Sequence, residues 1–251
     1  MQLDLVAWGD AIGGLALKAR DTGRTLTAQA FRYSQPVAYR GPVLLEIHKF
    51  GDGDVPPAPP ATADDLAHQL MPLEPEPAAT PGEDGAPPKQ GLALELERRR
   101  KDDPSLVALA RLPGASRRAT VLLAPVGDGT YQAYVIDDDP ATLAPGRLRI
   151  HNLSPLTIAM RCNGRAQKEI RTRDTFTVEA VDRQVIYELA YQVEGEWQVQ
   201  ENNILPVRPD EQTQLIVLRS TNRFFLSADG SAGGFLQTVV LRRGRATAPE
   251  S

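Results

Sequence analysis

The sequence has few of the residues on which several classes of function depend. Cysteine occurs once in 251 residues, as Cys162, so no disulfide forms within the chain. No apolar run approaches the roughly 18 residues that a membrane helix needs. The formal net charge of -4 gives the chain as a whole no electrostatic basis for binding nucleic acid. The longest basic run, 98–101, is followed at once by Asp102 and Asp103, which is typical of a solvated face.

The first residues leave two cellular locations open. Met1–Leu5 has neither the basic region nor the apolar region of a signal peptide, and it is typical of a first strand. The protein is therefore periplasmic or secreted if a signal peptide has been removed, and otherwise cytoplasmic. The single cysteine fits a reducing compartment, but many exported bacterial proteins also lack disulfides.

Histidine, the commonest general base, is almost absent. His48, His68 and His151 have no second histidine or cysteine at metal-ligand spacing, so we expect ordinary structural roles and no metal. The run 137–139 consists of aspartates, which can bind calcium. It lacks the glycine and the distal glutamate of an EF-hand loop, and we interpret it as an acidic strand end before Pro140.

No nucleophile or phosphate-binding motif is complete. The glycine pattern at 9–14 lacks the Gly-Lys-Ser/Thr ending of a phosphate loop, and no Gly-x-Ser-x-Gly elbow occurs. Serine, histidine and aspartate are present, but no spacing groups them into a triad. We therefore expect no catalytic residue, no cofactor and no enzymatic activity.

Strand patterns dominate what is present. Short apolar or alternating runs are separated by turn residues at the spacing of about 8–12 residues that β-sandwiches show. Hairpin turns are predicted at 127–129, 163–164 and 194–195. The sequence predicts an all-β protein.

One stretch interrupts the strands. Residues 52–90 are rich in proline, alanine and acidic residues, which predicts a disordered insertion. A short helix is possible at 62–70, and 92–101 is either a second helix or an extended segment. With this insertion in the first domain, the boundaries are 1–140 for one β-sandwich, 147–243 for another and 244–251 for a flexible tail.

The order of strands in the first half recurs in the second. The matched segments are Leu3–Trp8 with Leu148–Leu153, Leu15–Ala19 with Ile158–Cys162, Thr25–Phe31 with Thr175–Val181, Val43–Phe50 with Val185–Gln192, Leu109–Pro113 with Leu205–Pro209, Thr120–Ala124 with Gln214–Leu218, and Tyr131–Ile136 with Leu236–Leu241. Each copy has roughly 100 residues, the size of an immunoglobulin-type sandwich. The pattern predicts tandem duplicated immunoglobulin-like antiparallel β-sandwiches.

The second copy opens on a recognisable pattern. Arg149–Pro155 contains an Arg-x-x-Asn-x-Ser-Pro strand, and Met160–Gly164 ends in an Asn-Gly turn. This start resembles small bacterial β-sandwich (immunoglobulin-like) domains of unknown function found in exported or envelope proteins. The resemblance covers only this part and is weaker in the first copy, where Trp8–Asp10 replaces Asn152–Ser154. It implies the sandwich fold and an envelope setting, and it implies no catalytic residues.

The aromatic residues fall into two groups, one expected in the core and one expected at an exposed contact. Tyr187 and Tyr191 are four residues apart and point to one face of a strand, which we interpret as the core. Arg223, Phe224 and Phe225 lie in the last predicted loop and are the best candidates for an exposed partner contact.

Three functions follow from these patterns. The leading hypothesis is a non-catalytic structural or interaction protein that presents β-sandwich surfaces to a protein or glycan partner. The alternative is a carbohydrate- or ligand-binding module, which a row of solvent-facing aromatics would favour. The third is an enzyme with a deep polar cleft at the domain junction.

Overall fold

The computed structural model describes residues 1–18, 25–50, 91–193, 195–219 and 236–244. The predicted insertion at 52–90 lies outside the described residues, together with the helix predicted at 62–70 and His68. Arg223, Phe224 and Phe225 also lie outside them. The described residues are mostly β-strand, with one helix, so the all-β prediction is confirmed.

The described residues of the first half form eight strands and the helix. They are β1 (Gln2–Ala7), β2 (Ile12–Leu17), β3 (Leu26–Ala30), β4 (Val37–Ala38), β5 (Leu44–Lys49), α1 (Leu92–Arg100), β6 (Leu106–Arg111), β7 (Arg118–Gly127) and β8 (Thr130–Asp137). The segment at 92–101, for which helix and extended structure were both open, is thus helical. The predicted hairpin turn at 127–129 joins β7 to β8 through left-handed backbone at Asp128 and Gly129.

In the second half, too, the residues that the structure describes form eight strands. They are β9 (Arg147–Asn152), β10 (Ile158–Cys162), β11 (Ala166–Ile170), β12 (Thr175–Glu179), β13 (Gln184–Val193), β14 (Glu196–Pro206), β15 (Glu211–Arg219) and β16 (Leu236–Gly244). The turn predicted at 163–164 joins β10 to β11, and β13 pairs with β14 as the hairpin predicted around 194–195 requires. Gly244 was predicted to begin the tail, but it is the last residue of β16 and pairs with Glu211.

The sheets of the two halves differ in continuity. In the first half, one eight-stranded sheet has the order β6-β5-β2-β3-β1-β7-β8, with β4 paired to β1, and it curls until β8 contacts β6. In the second half, β11-β10-β13-β14 and β12-β9-β15-β16 are separate four-stranded sheets. The prediction of antiparallel sheets is wrong at three strand pairs, because β1 runs parallel to β3 and β7, and β9 runs parallel to β15.

Several strand pairs recur in register between the halves. Leu3 lies opposite Ala119 in the first half, and Leu148 lies opposite Thr213 in the second. The pairs β2–β5 and β10–β13 correspond, as do β7–β8 and β15–β16. The β5–β6 and β13–β14 pairs also carry a register shift at the same point, between Ile47 and His48 and between Leu189 and Ala190.

Two of the matched segments differ from the pairing that the structure shows. β3 pairs antiparallel with β2, as β11 does with β10, whereas the sequence match placed it with the segment that forms β12. In the β5–β6 and β13–β14 pairs, the register places Leu109 opposite Glu46 and Asn202 opposite Glu188. Leu109 therefore corresponds to Asn202, three residues before the Leu205 of the sequence match.

Buried apolar side chains form three clusters, and strand alternation explains them. In β1, Leu3 and Leu5 point into a core made only of first-half residues, while Val6 points to the opposite face. A second core contains only residues from β9 onward. The third cluster joins the halves: Val6, Trp8, Leu122 and Ile136 meet Leu153, Ile216, Leu218 and Leu241.

Candidate functional site

The outer surface of β13 and β14 carries an exposed apolar patch. Its large apolar side chains are Ile186, Trp197, Val199 and Ile204, which are 49%, 41%, 59% and 56% exposed. Ile186 and Ile204 are direct cross-strand partners, and Trp197 and Val199 follow two residues apart on the same face. We call these four residues, with Glu188 between them, the β13–β14 face.

Alternation along β13 explains why this face is distinct from the core. Val185, Tyr187 and Leu189 point inward and are almost fully buried, so Ile186 and Glu188 point outward. Tyr191 is also buried at 7% exposure, so the core interpretation of the two tyrosines is confirmed. Burial of Tyr187 raises the pKa of its phenol, which donates a hydrogen bond to Glu201.

The patch lies beside an open sheet edge. β14 is the end strand of its sheet, and among the described residues no strand pairs with its outer side. At the centre of the face, Arg161 donates to Glu188 at 2.8 Å. An exposed apolar patch next to unpaired backbone groups and a charged pair is suited to contact with another protein.

A cavity of about 960 Å³ lies between α1, β6 and the β7–β8 hairpin. Apolar side chains and Tyr131 line it, together with the basic residues Arg100, Lys101 and Arg173 and the acidic residues Glu97 and Asp128. Arg100 donates one hydrogen bond to the Asp128 carbonyl at 3.3 Å, while its buried Nε has no hydrogen-bond partner. The volume is at the upper end of the range for small-molecule sites, and the lining is mixed apolar and charged.

The junction between the halves holds a buried polar network. Arg243 lies 2.8 Å from Asp4 and 3.2 Å from Asp138. Its guanidinium lies over the Tyr33 ring, 3.8 Å from the centroid. Asp138 also accepts hydrogen bonds from Thr120 and from Gln214 of β15. These contacts link the two halves, while Asp4 Oδ1, the Tyr33 hydroxyl and Arg243 Nε are buried without a hydrogen-bond partner among the described residues.

Burial sets the protonation of two groups in this network. Desolvation raises the pKa of Asp4, although Arg243 partly opposes the shift. Desolvation also lowers the pKa of His151 to about 4, against opposing contributions from Gln214 and Asp138. His151 is consequently neutral at pH 7, and its Nε2 lies 2.6 Å from the Gln214 side-chain oxygen.

The other candidate side chains, His48, Asp139 and Cys162, lie in strands or turns of the fold. His48 lies in β5 with its Nδ1 3.0 Å from the Ser105 hydroxyl, as expected for a strand histidine. Asp139 accepts backbone N–H groups of Arg117 and Ala141, which lowers its pKa and closes the turn after β8. Burial raises the pKa of Cys162 to about 11, so this thiol is protonated at neutral pH.

Sequence reasoning did not find the β13–β14 face. Trp197 and Val199 alternate with Gln198 and Gln200, and such alternation ordinarily directs the apolar residues inward. The available signal was in β13, where Val185 and Ile186 are adjacent, so one of these two large side chains must lie outside the core phase.

Comparison with protein-family models gives no match, and comparison with curated proteins gives none either. Among the described residues, no helix combines the length and apolar character needed to cross a bilayer. Within the same residues, no three histidine, cysteine, aspartate or glutamate side chains are grouped so that they could hold a metal ion.

Proposed function

We propose that this chain is a non-catalytic interaction protein that binds a partner through the β13–β14 face. The observation that carries the proposal is the exposure of four large apolar side chains on one pair of strands. Several large apolar side chains that are exposed on one pair of strands, next to an open sheet edge, are typical of a surface that contacts a partner.

The proposal includes a tandem duplication of an immunoglobulin-like sandwich. It is supported by the shared registers of the two halves and by the matching register shifts in β5–β6 and β13–β14. The junction adds a further argument. Asp138 and Arg243 occupy corresponding positions after β8 and in β16, and they contact each other. Contact between corresponding positions is what packing of two related units about an approximate two-fold axis produces.

The envelope setting is a further part of the proposal. It is supported by the resemblance of residues 149–164 to domains of exported and envelope proteins. Cell fractionation of the native organism tests it. Recovery of the protein only from cytosol would refute this part alone and leave the binding function intact.

The binding function is tested by cross-linking the full chain in extracts of the native organism. The wild type and the variants Ile204→Asp and Val43→Asp are compared. Val43 is 51% exposed, directly precedes β5 and lies outside both the β13–β14 face and the cavity beside α1, so it is the matched control. We expect one cross-linked partner with the wild type and the control, and its loss with Ile204→Asp. Turnover of a substrate that one polar substitution abolishes, with the fold intact, would refute the proposal.

The cavity beside α1 favours a second candidate function, the ligand-binding module. Its volume and its mixed apolar and charged lining support an apolar ligand with a polar or charged group. A screen of such ligands against the wild type and Tyr131→Ala tests it. Saturable binding that the substitution weakens supports this function, and the absence of any saturable ligand counts against it.

A further inference from the structure

The β13–β14 face has a counterpart in the first half, on the outer surface of β5 and β6. The shared register places Glu46 at the position of Glu188. On the neighbouring strand, Lys18 donates its backbone N–H to the Glu46 carbonyl and occupies the position of Arg161. The side-chain ion pairs Lys18–Glu46 and Arg161–Glu188, both 2.8 Å long, therefore correspond.

In the first half a helix covers this surface. α1 packs on β6, where Leu106 and Leu109 are 1% and 3% exposed although neither belongs to a hydrophobic core cluster. Arg99 of α1 forms an ion pair with Glu46 Oε1 at 2.5 Å, while Lys18 forms an ion pair with Glu46 Oε2. Burial alone would raise the pKa of Glu46, but these two cations outweigh it and hold the pKa below its usual value.

In the second half the same surface is open. Val199 takes the place of Leu106 and is 59% exposed, and Asn202, at the position of Leu109, is exposed. Arg161 forms an ion pair with Glu188 Oε2, whereas Glu188 Oε1 makes no hydrogen bond or ion pair with any described residue. The second half thus keeps one of these two apolar positions, Val199, and has one carboxylate oxygen in the position that accepts a cation in the first half.

We propose that the β13–β14 face binds an amphipathic α-helix of a partner protein, in the manner in which α1 covers β5 and β6. α1 serves as the template for the residues of the partner helix, since Leu92, Leu96 and Arg99 follow the i, i+4, i+7 spacing of one helix face. The partner helix carries apolar residues at the first two positions and arginine or lysine at the third, where it pairs with Glu188 Oε1. This inference rests on the proposed binding function and specifies the partner.

A stapled helical peptide with the sequence of residues 91–101 is the probe. Its binding to the full chain is followed by fluorescence polarisation. We expect saturable binding with a Kd on the order of 100 μM, and weakening of about tenfold or more by Val199→Asp or by Glu188→Lys. Glu169→Lys is the matched charge control, because Glu169 lies on β11 opposite Ala159, on the same sheet surface but outside the patch. This variant is expected to bind as the wild type does.

A charge exchange separates the proposed ion pair from a general loss of structure. The peptide carrying Arg99→Glu is expected to bind Glu188→Lys better than it binds the wild type. Absence of saturable binding, or binding that neither Val199→Asp nor Glu188→Lys changes, overturns the helix inference. If the peptide fails while Ile204→Asp still abolishes the cross-linked partner, the binding function stands with a different kind of partner. If the peptide does not bind and Ile204→Asp leaves the cross-linked partner in place, both the helix inference and the proposed binding function are refuted.

Discussion

At the scale of single residues, Arg243 is a largely buried cation that faces two buried carboxylates. Its side chain is 12% exposed, and it faces the fully buried Asp4 and the almost fully buried Asp138. Desolvation alone would lower the pKa of Arg243, but the two carboxylates raise it above its ordinary value. Removing the cation leaves two buried acidic groups without this partner, which costs more than the loss of an exposed ion pair.

Arg243→Met is therefore expected to lower the free energy of unfolding by about 3–5 kcal/mol. The matched control is Arg147→Met, because Arg147 and Glu179 form an ion pair with side chains 47% and 75% exposed. This exposed pair contributes at most about 1 kcal/mol. Urea denaturation of both variants measures the difference, and equal losses of stability would show that the junction network contributes little.

His151 gives the protein a specific pH dependence. Because burial lowers its folded pKa from 6.5 to about 4, the unfolded chain binds a proton at a higher pH than the folded chain does. The stabilisation is complete above pH 6.5 and is lost as the pH falls toward 4, up to about 3 kcal/mol. Carboxylates titrate in the same range, so the wild type is compared with His151→Gln. The variant is expected to lose less stability between pH 7 and 4.5, and parallel curves would contradict the assignment.

At the scale of elements, most strands and the hairpin turns between neighbouring strands could be predicted from the sequence. The strand β1 corresponds to β9, β7 to β15 and β8 to β16, residue for residue, as the matched segments predicted. Alternation and turn residues fix the position of each of these strands locally. The pairing of β3 could not be predicted. Its alternation fits either β11 or β12, and only the long-range choice of neighbour separates the two.

The junction and the β13–β14 face were missed for opposite reasons. Asp138 and Arg243 are polar residues at strand ends, where exposure is the ordinary expectation, but the facing half buries them. The run Leu3–Trp8 carried a usable signal, since apolar residues on both faces of β1 indicate burial on both sides. The exposure of Val199 carried no such signal, because a covering partner would lie outside this chain.

α1 provides a prediction for a single element. Leu96 lines the cavity between α1 and β6 and is half-buried, whereas Leu94 is 54% exposed on the same helix. Leu96→Lys is expected to lower the free energy of unfolding by about 1–2 kcal/mol, since it removes apolar contact but keeps helix propensity. Leu94→Lys is expected to change it by no more than about 0.5 kcal/mol. Chemical denaturation decides, and equal effects would show that α1 does not pack through Leu96.

At the scale of the whole molecule, the third hydrophobic cluster joins the two halves. The segment 141–146, between the two predicted domains, is part of this connection, because Leu143 is 1% exposed and its carbonyl accepts a hydrogen bond from Gln212 of β15. The halves therefore share apolar contacts, the polar network around Arg243 and an anchored connection. Such coupling favours unfolding of both halves in one transition.

The final prediction tests that coupling with two substitutions on one strand. Leu122 is 1% exposed in the cluster that joins the halves, whereas Val126 on the same strand is 67% exposed. The wild type and Val126→Asp are expected to unfold in one calorimetric transition whose van't Hoff and calorimetric enthalpies agree. Leu122→Asp places a charge in the apolar junction, and we expect it to separate the unfolding of the two halves into two transitions. A single transition at an unchanged Tm would show that the halves are stable without this contact. A single transition at a lower Tm would show instead that β7 is required for the fold of the whole chain.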